Sequence, residues 1–267
     1  MAISSRDDYI SAVKQRVIWT KTASITAVGA KQSQTMHLAG NPGGGTLAGS
    51  NATVGVLQTQ GVAGGGYPLL KTFGGGAKAY LTRVEAWAPV AMNLNIYDVL
   101  LKMGTFAYNA NVSSLTSVDI SSRVPEGTDF RGLELWIEAV TAFTGIPVVT
   151  ITYLDQDGNA GTTGATTIDS ALIIGRMFQM PLASGDNGVK TITGITCGTA
   201  SGGTFNVLIM RPLFKCRIPA ANSQVGPFDL TQTGMPEVWQ NSCLCALPEP
   251  DSTATSLPSV VLEIANK

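Results

Sequence analysis

The sequence predicts a mainly β protein: an antiparallel, jelly-roll-like β-sandwich body preceded by an N-terminal helix and a Gly-rich extended arm. Three observations carry this. From Ala79 onward about a dozen short apolar or alternating runs follow one another, separated by turn residues, at the spacing of a sandwich or barrel. No alternation of strand-like and helix-like segments suggests a parallel doubly wound sheet. Residues 21–78 are instead punctuated by glycine, in "AGNPGGGTLAGS" (39–50), "GVAGGG" (61–66) and a third triplet at 74–76. The expected organisation is residues 1–78 as helix and arm and residues 79–267 as body.

The first element, "SSRDDYISAVKQRVIW" (4–19), reads as one helix. Ser5 is placed to cap it, Asp7 and Asp8 suit its positive end, and Ile10, Val13 and Val17 share a stripe at helical spacing. In the body, "AYLTRVEAW" and "NLNIYDVL" read as strands, the second passing into a short helical turn ended at Gly104. "LELWIEAVT" alternates, with Leu133, Leu135 and Ile137 on one side and Glu134, Trp136 and Glu138 on the other. Strand-like runs follow in "PVVTITYL", "ATTIDSALIIGRMFQMPL", "GVKTITGITCG", "GTFNVLIMRPLF", "EVWQNSCLCAL" and "SVVLEIAN".

Composition bears on function. Charged residues are 13% of the 267 and mean hydropathy is +0.20, against roughly 25% charged in ordinary soluble domains. So few charges imply that much of the surface faces other protein. Residues 1–84 hold eight basic and two acidic side chains, residues 85–267 nine basic and sixteen acidic. That asymmetry suits head-to-tail contact between subunits or an acidic partner surface. No dense Lys/Arg stripe interleaved with aromatics suggests nucleic acid. No apolar run approaches the ~18 residues of a spanning helix, and Asp7 and Asp8 stand where a signal peptide would be apolar. The expected place of synthesis is a cytoplasm.

Motifs that could carry chemistry fail one by one. In "YLDQDGNAG" (153–161), Asp155, Asp157 and Asn159 alternate like calcium ligands, but the EF-hand glycine position holds Ala160 and the bidentate Glu position holds Thr166. Asp157-Gly158 reads better as the turn of a hairpin over 148–168, without metal. His37 is the only histidine, and no nucleophile elbow accompanies it. Glu134 and Glu138, four strand residues or ~13 Å apart, are too distant for a glycosidase pair. "GGGTLA" (43–48) fits a loose dinucleotide pattern, but Asn41-Pro42 precedes it where a strand is needed. Cys197, Cys216, Cys243 and Cys245 form no CxxC and have one histidine among them, so a zinc site is hard to assemble; they read as free buried thiols, with disulfides after release as the alternative. The expectation is a protein with no catalytic, cofactor-binding or metal-binding residues, and not an enzyme.

The segment "KTASITAVGAKQSQTMHLAGNPGGGTLAGS" (21–50) resembles the opening of a family of virion structural proteins of tailed bacteriophages. The likeness continues at "FGGGAKAYLTRVEA", "NIYDVLLKMG", "TYLDQDGNAGTTG" and "SGDNGVKTITGIT", and spans about residues 20 to 211. The resemblance implies a particle component located in the virion. The expected type is a capsid decoration or cement protein on the major capsid protein, self-associating as a homotrimer. The alternative is a tail, neck or baseplate component whose β body binds glycan through an exposed cluster drawn from Trp87, Trp136 and Trp239. A hydrolase is a third class, disfavoured because His37 lacks partners.

Overall fold

The computed structural model describes residues 3–22, 32–60, 66–74, 78–109, 111–168, 172–198, 202–253 and 257–267. Three stretches of the expected arm, 23–31, 61–65 and 75–77, lie outside them. Among the described residues eighteen strands, numbered in chain order, form three sheets in which every pairing is antiparallel. The first sheet joins β1 (Val13–Lys21), β3 (Gly40–Asn41), β5 (Ala79–Ala88), β15 (Ser223–Phe228), β16 (Glu237–Val238) and β18 (Ser259–Asn266), in the order β15-β5-β18-β1-β3 with β16 also on β5. The second joins β2 (Ser33–Gln34), β4 (Asn51–Leu57), β6 (Met92–Ala107), β8 (Glu134–Thr144), β12 (Arg176–Met180), β14 (Gly202–Ile218) and β17 (Leu244–Pro250). Its order is β17-β6-β14-β8-β12-β2, and β4 shares with β17 the outer edge of β6. The third joins β7 (Asn111–Ser113), β9 (Val148–Asp155), β10 (Ala160–Thr162), β11 (Thr166–Thr167) and β13 (Val189–Cys197).

The two longest strands, β6 and β14, explain how three sheets make one body. Leu94 and Ile96 of β6, with Leu213, Cys216 and Ile218 of β14, pack against Trp19, Leu81, Leu262 and Ile264 of the first sheet. Farther along the same pair, Leu101, Met103 and Phe106 with Phe205, Val207 and Ile209 pack against Val149, Ile151, Tyr153 and Ile192 of the third. The central sheet thus belongs to two sandwiches at once. Register shifts between Ile209 and Met210, opposite Leu101 and Val99, and between Pro212 and Phe214 lie where one core gives way to the other. The other side of the sheet carries a third cluster, with Tyr97, Val99, Trp136, Met177, Leu208, Met210 and Cys243.

Between the two large cores sits a buried charge. Asp98 falls between Ile96 and Leu101 and is fully buried. Its Oδ1 accepts from Arg123 Nη2 and, at 2.9 Å, from the Cys243 backbone N–H. Its Oδ2 accepts from Ser242 Oγ at 2.8 Å, and Arg211, its cross-strand neighbour, places Nη2 3.7 Å away. Arg211 also stacks 4.1 Å from the Trp239 ring centre and donates to the Glu237 carbonyl. Burial pulls the Arg211 guanidinium down to about 10, against the opposing pull of Asp98.

The fold class is the mainly β antiparallel sandwich expected, and "AYLTRVEAW", "PVVTITYL", "GVKTITGITCG" and "SVVLEIAN" are strands as read. The hairpin is also present. Asp155 N–H bonds the Asn159 carbonyl at 2.8 Å, and Gly158 takes the positive φ of 89° that the turn needs.

Four expectations are corrected. The helix is only α1 (Arg6–Ser11), with Ser5 capping Asp8 N–H as expected; from Val13 the chain is strand β1. The β-branched and aromatic run Val17-Ile18-Trp19-Thr20 favours strand, and burial follows period two at Gln15, Val17 and Trp19. Ile10 and Val13, the supposed helical stripe, are 60% and 67% exposed. The helical turn expected before Gly104 is absent, since β6 runs unbroken through it to Ala107. The described residues of 1–78 are not an arm outside the body: β1 pairs with β18, and Met36, Leu70 and Phe73 share a core with Leu81 and Val84. Finally, Trp136 and Glu138 are buried: the Tyr97 ring meets Trp136 edge to face, and Thr35, Thr46 and Tyr67 stand with Glu138 around one cavity. A second helix, α2 (Leu230–Thr233), is closed by an Asp229/Gln232 capping box.

Replacing Asp98 by Ala leaves Arg123 uncompensated in the interior and is expected to cost about 3–5 kcal/mol, read from urea unfolding. Trp19→Ala, in the strand that the sequence placed in a helix, should cost about 3–5 kcal/mol by the same measurement. A loss under 1 kcal/mol would mean that β1 is peripheral to the fold.

Candidate functional site

The positions singled out in the sequence do not gather into one site. Trp87 lies on β5 and is 41% exposed, Trp136 is buried on β8, and Trp239 is half-buried beneath Arg211. Trp136 Nε1 and Tyr97 Oη both donate to Glu134 Oε2, at 2.8 and 3.0 Å, and the two rings meet edge to face. This holds Trp136 as a structural ring and leaves no exposed aromatic cluster of these three. Cys197, Cys216, Cys243 and Cys245 form no disulfide with one another. Burial pushes Cys216 up to about 11 and Cys243 and Cys245 up to about 12, which suppresses thiolate chemistry. At the hairpin, Asp155 spends its carboxylate on the turn: Oδ1 accepts from Asp157 and Asn159 N–H, both at 2.8 Å, and Oδ2 from Asn159 Nδ2 at 3.1 Å. Among the described residues no group of three or more His, Cys, Asp or Glu is placed to hold a metal. No helix among them is long and apolar enough to cross a membrane.

The chemically distinctive cluster is one that the sequence did not single out. Lys102 on β6, Asn206 on β14 and Glu138 on β8 stand on three adjacent strands. The register sets Asn206 opposite Glu138 and Lys102 opposite Leu208, so Lys102 and Asn206 are diagonal neighbours across one strand pair. All three are buried, Asn206 completely. Lys102 Nζ lies 2.9 Å from Glu138 Oε2, and Asn206 Nδ2 donates to that same oxygen at 2.8 Å. Both nitrogens also donate to the Leu47 carbonyl, at 3.0 and 2.7 Å. The Asn206 Oδ1 accepts from the Gly49 backbone N–H at 2.9 Å.

The glycine-rich loop that mimicked a dinucleotide motif therefore caps this cluster with backbone groups. Space there is tight. A Cβ at Gly49 would stand 2.8 Å from Asn206 Oδ1, and one at Gly104 would overlap it. The only sequence signal was a Lys inside the apolar run "DVLLKMG" and an Asn inside "TFNVLIM". Neither spacing forms a known motif, because the three residues come from strands far apart in the chain.

Beside the cluster is a small, partly open cavity of about 30 Å³, lined by Lys102 and Glu138 together with Trp19, His37, Tyr67 and Cys245. That is room for a water-sized molecule. His37, half-buried, has its Nδ1 against the Thr35 hydroxyl. Burial lowers its affinity for a proton; Glu138 opposes this, while Lys102 and Lys21 add to it.

No family model matches the chain, and no curated protein matches it. Among solved structures, the infectious bursal disease virus Gx strain aligns over 96% of this chain and 80% of its own, at 10% identity and a TM-score of 0.20. The Gt strain aligns over 96% and 81%, at 9% identity and 0.20. T=1 particles derived from infectious bursal virus align over 95% and 78%, at 9% identity and 0.19. TM-scores this low carry no argument about fold or function.

The His37 environment makes a pH prediction. A folded-state pKa below the unfolded value of about 6.5 means that the folded protein prefers the neutral ring. The stability so gained is whole above pH 6.5 and is lost as pH falls through the folded pKa. Comparing urea midpoints at pH 7.5 and pH 5, His37→Gln should lose less than the parent. An equal or larger loss in the variant would remove His37 from the account.

Proposed function

We propose that this chain is a structural protein of a tailed-bacteriophage virion, of the head decoration or cement type, seated on the major capsid protein as a homotrimer. The observation that carries the reading is the sequence likeness over about residues 20 to 211, from "KTAS" and "LAGNPGGGTLAGS" to "SGDNGVKTITGIT". The mainly antiparallel β body is compatible with it.

The surface supplies a place for contact. Trp87 and Ile18, 41% and 42% exposed, stand on strands of the first sheet whose other face is core, and Ile10 and Val13 are exposed at its N-terminal entry. Apolar side chains on an open sheet face, in a chain with 13% charged residues, suit burial against another protein. Closed rings are the usual way for identical subunits to use such a face without open-ended growth.

Two measurements check this. Light scattering of the isolated protein should give three times the chain mass. Quantitative mass spectrometry of purified particles should give a copy number comparable to that of the major capsid protein. A sixfold or twelvefold ring at low copy number would move the protein to the neck or tail.

A further inference from the structure

We propose that Lys102 and Asn206 become joined by an intramolecular isopeptide bond, formed by the folded chain itself with Glu138 as the proton carrier. The inference is independent of where in a particle, or in what assembly, the protein works.

Each part of the reaction has a group in place. The nucleophile is Lys102 Nζ and the electrophile is Asn206 Cγ. Both nitrogens lie within 3 Å of Glu138 Oε2, so they are within about 6 Å of each other. The shared Leu47 carbonyl holds them from a second side. Gly49 N–H bonds the amide oxygen, polarising the carbonyl and facing the atom on which negative charge develops. The glycines at 49 and 104 leave that oxygen its space. An amide is a poor acyl donor in water. Fixing nucleophile and electrophile together raises their effective concentration by orders of magnitude, roughly 10⁵–10⁸ M in well-oriented cases.

The steps balance without a co-reactant. Glu138 takes a proton from the Lys102 ammonium, and the neutral amine attacks Asn206 Cγ to form the Nζ–Cγ bond. The oxyanion on Oδ1 rests against Gly49 N–H. Glu138 returns its proton to Nδ2, the Cγ–Nδ2 bond breaks, and ammonia departs. Glu138 then removes the remaining extra proton from Nζ and yields it to the ammonia, which leaves as ammonium. An ammonium and a primary amide have become a secondary amide and ammonium, and nothing is oxidised or reduced. The cavity bordering Lys102 and Glu138 has room to receive the leaving group.

The alternative role for the three residues is a buried ion pair with an amide attached. It predicts an unchanged covalent mass. The test is the intact mass of the purified full-length protein under denaturing conditions. The expected result is a loss of one ammonia, about 17 Da, with trypsin failing to cut after Lys102 and tandem spectra linking the Lys102 and Asn206 peptides. Lys102→Arg and Glu138→Gln should show the full mass, and Asn206→Asp should lose water, about 18 Da. Should a variant fail to fold, the wild-type spectrum still decides. Wild-type protein at its full sequence mass after prolonged incubation, or an ammonia loss that maps to any other pair, overturns the proposal.

Discussion

A single carboxylate, Asp98, is the constraint on which the arrangement of the body depends. It sits on the strand common to both sandwiches, at the place where one core ends and the next begins. A charge there has a high desolvation cost unless every lone pair is answered. Arg123 arrives from the turn before β8, Ser242 and the Cys243 N–H from the loop before β17, and Arg211 from β14. Four distant stretches of chain must therefore be in place together. Apolar packing supplies most of the driving force, but it is non-directional. The hydrogen-bonded carboxylate fixes which segments meet.

The opposite face of the same strands is organised by a second carboxylate. Glu138 is read from the sequence as the polar side of a half-exposed strand, and its neighbours give no reason to think otherwise. What buries it is the N-terminal third of the chain folding back over β6, β14 and β8, with Leu47 and Gly49 offering backbone groups. A loop rich in glycine can approach this closely because no Cβ stands in the way. Loop and lysine depend on each other: Leu47 O would lack its ammonium donor without Lys102, and Lys102 would lack part of its hydrogen bonding without the loop.

What the sequence made legible follows from range. Asp157-Gly158 between two alternating runs is a local signal, and the hairpin is there. So are "AYLTRVEAW", "PVVTITYL", "GVKTITGITCG" and "SVVLEIAN", where β-branched residues and period two agree; 169–171, within "ATTIDSALIIGRMFQMPL", lie outside the described residues. The failure at Val13–Lys21 is instructive, since Ile10, Val13 and Val17 fit a helical stripe by chance while Val17 and Trp19 bury at strand spacing. Only the partner strand β18, some 240 residues away, settles which period counts. The Lys102, Glu138 and Asn206 cluster was illegible for the same reason. Its members are separated by 36 and 68 positions, and their proximity is a property of strand order, which no local pattern encodes.

The pairing of the first strand with the last has a consequence for anything attached to this chain. Val13 lies opposite Asn266, and Lys267 reaches Asp8 in the helix before β1. Strands β1 and β18 thus enter and leave the body at one corner, side by side and in opposite chain directions. A tether or fused domain at either end would occupy the same neighbourhood. Tension applied through both ends would open β1 from β18 one bonded pair at a time, like a zip. The long β6–β14 ladder would stay out of the load path until the terminal pair had parted.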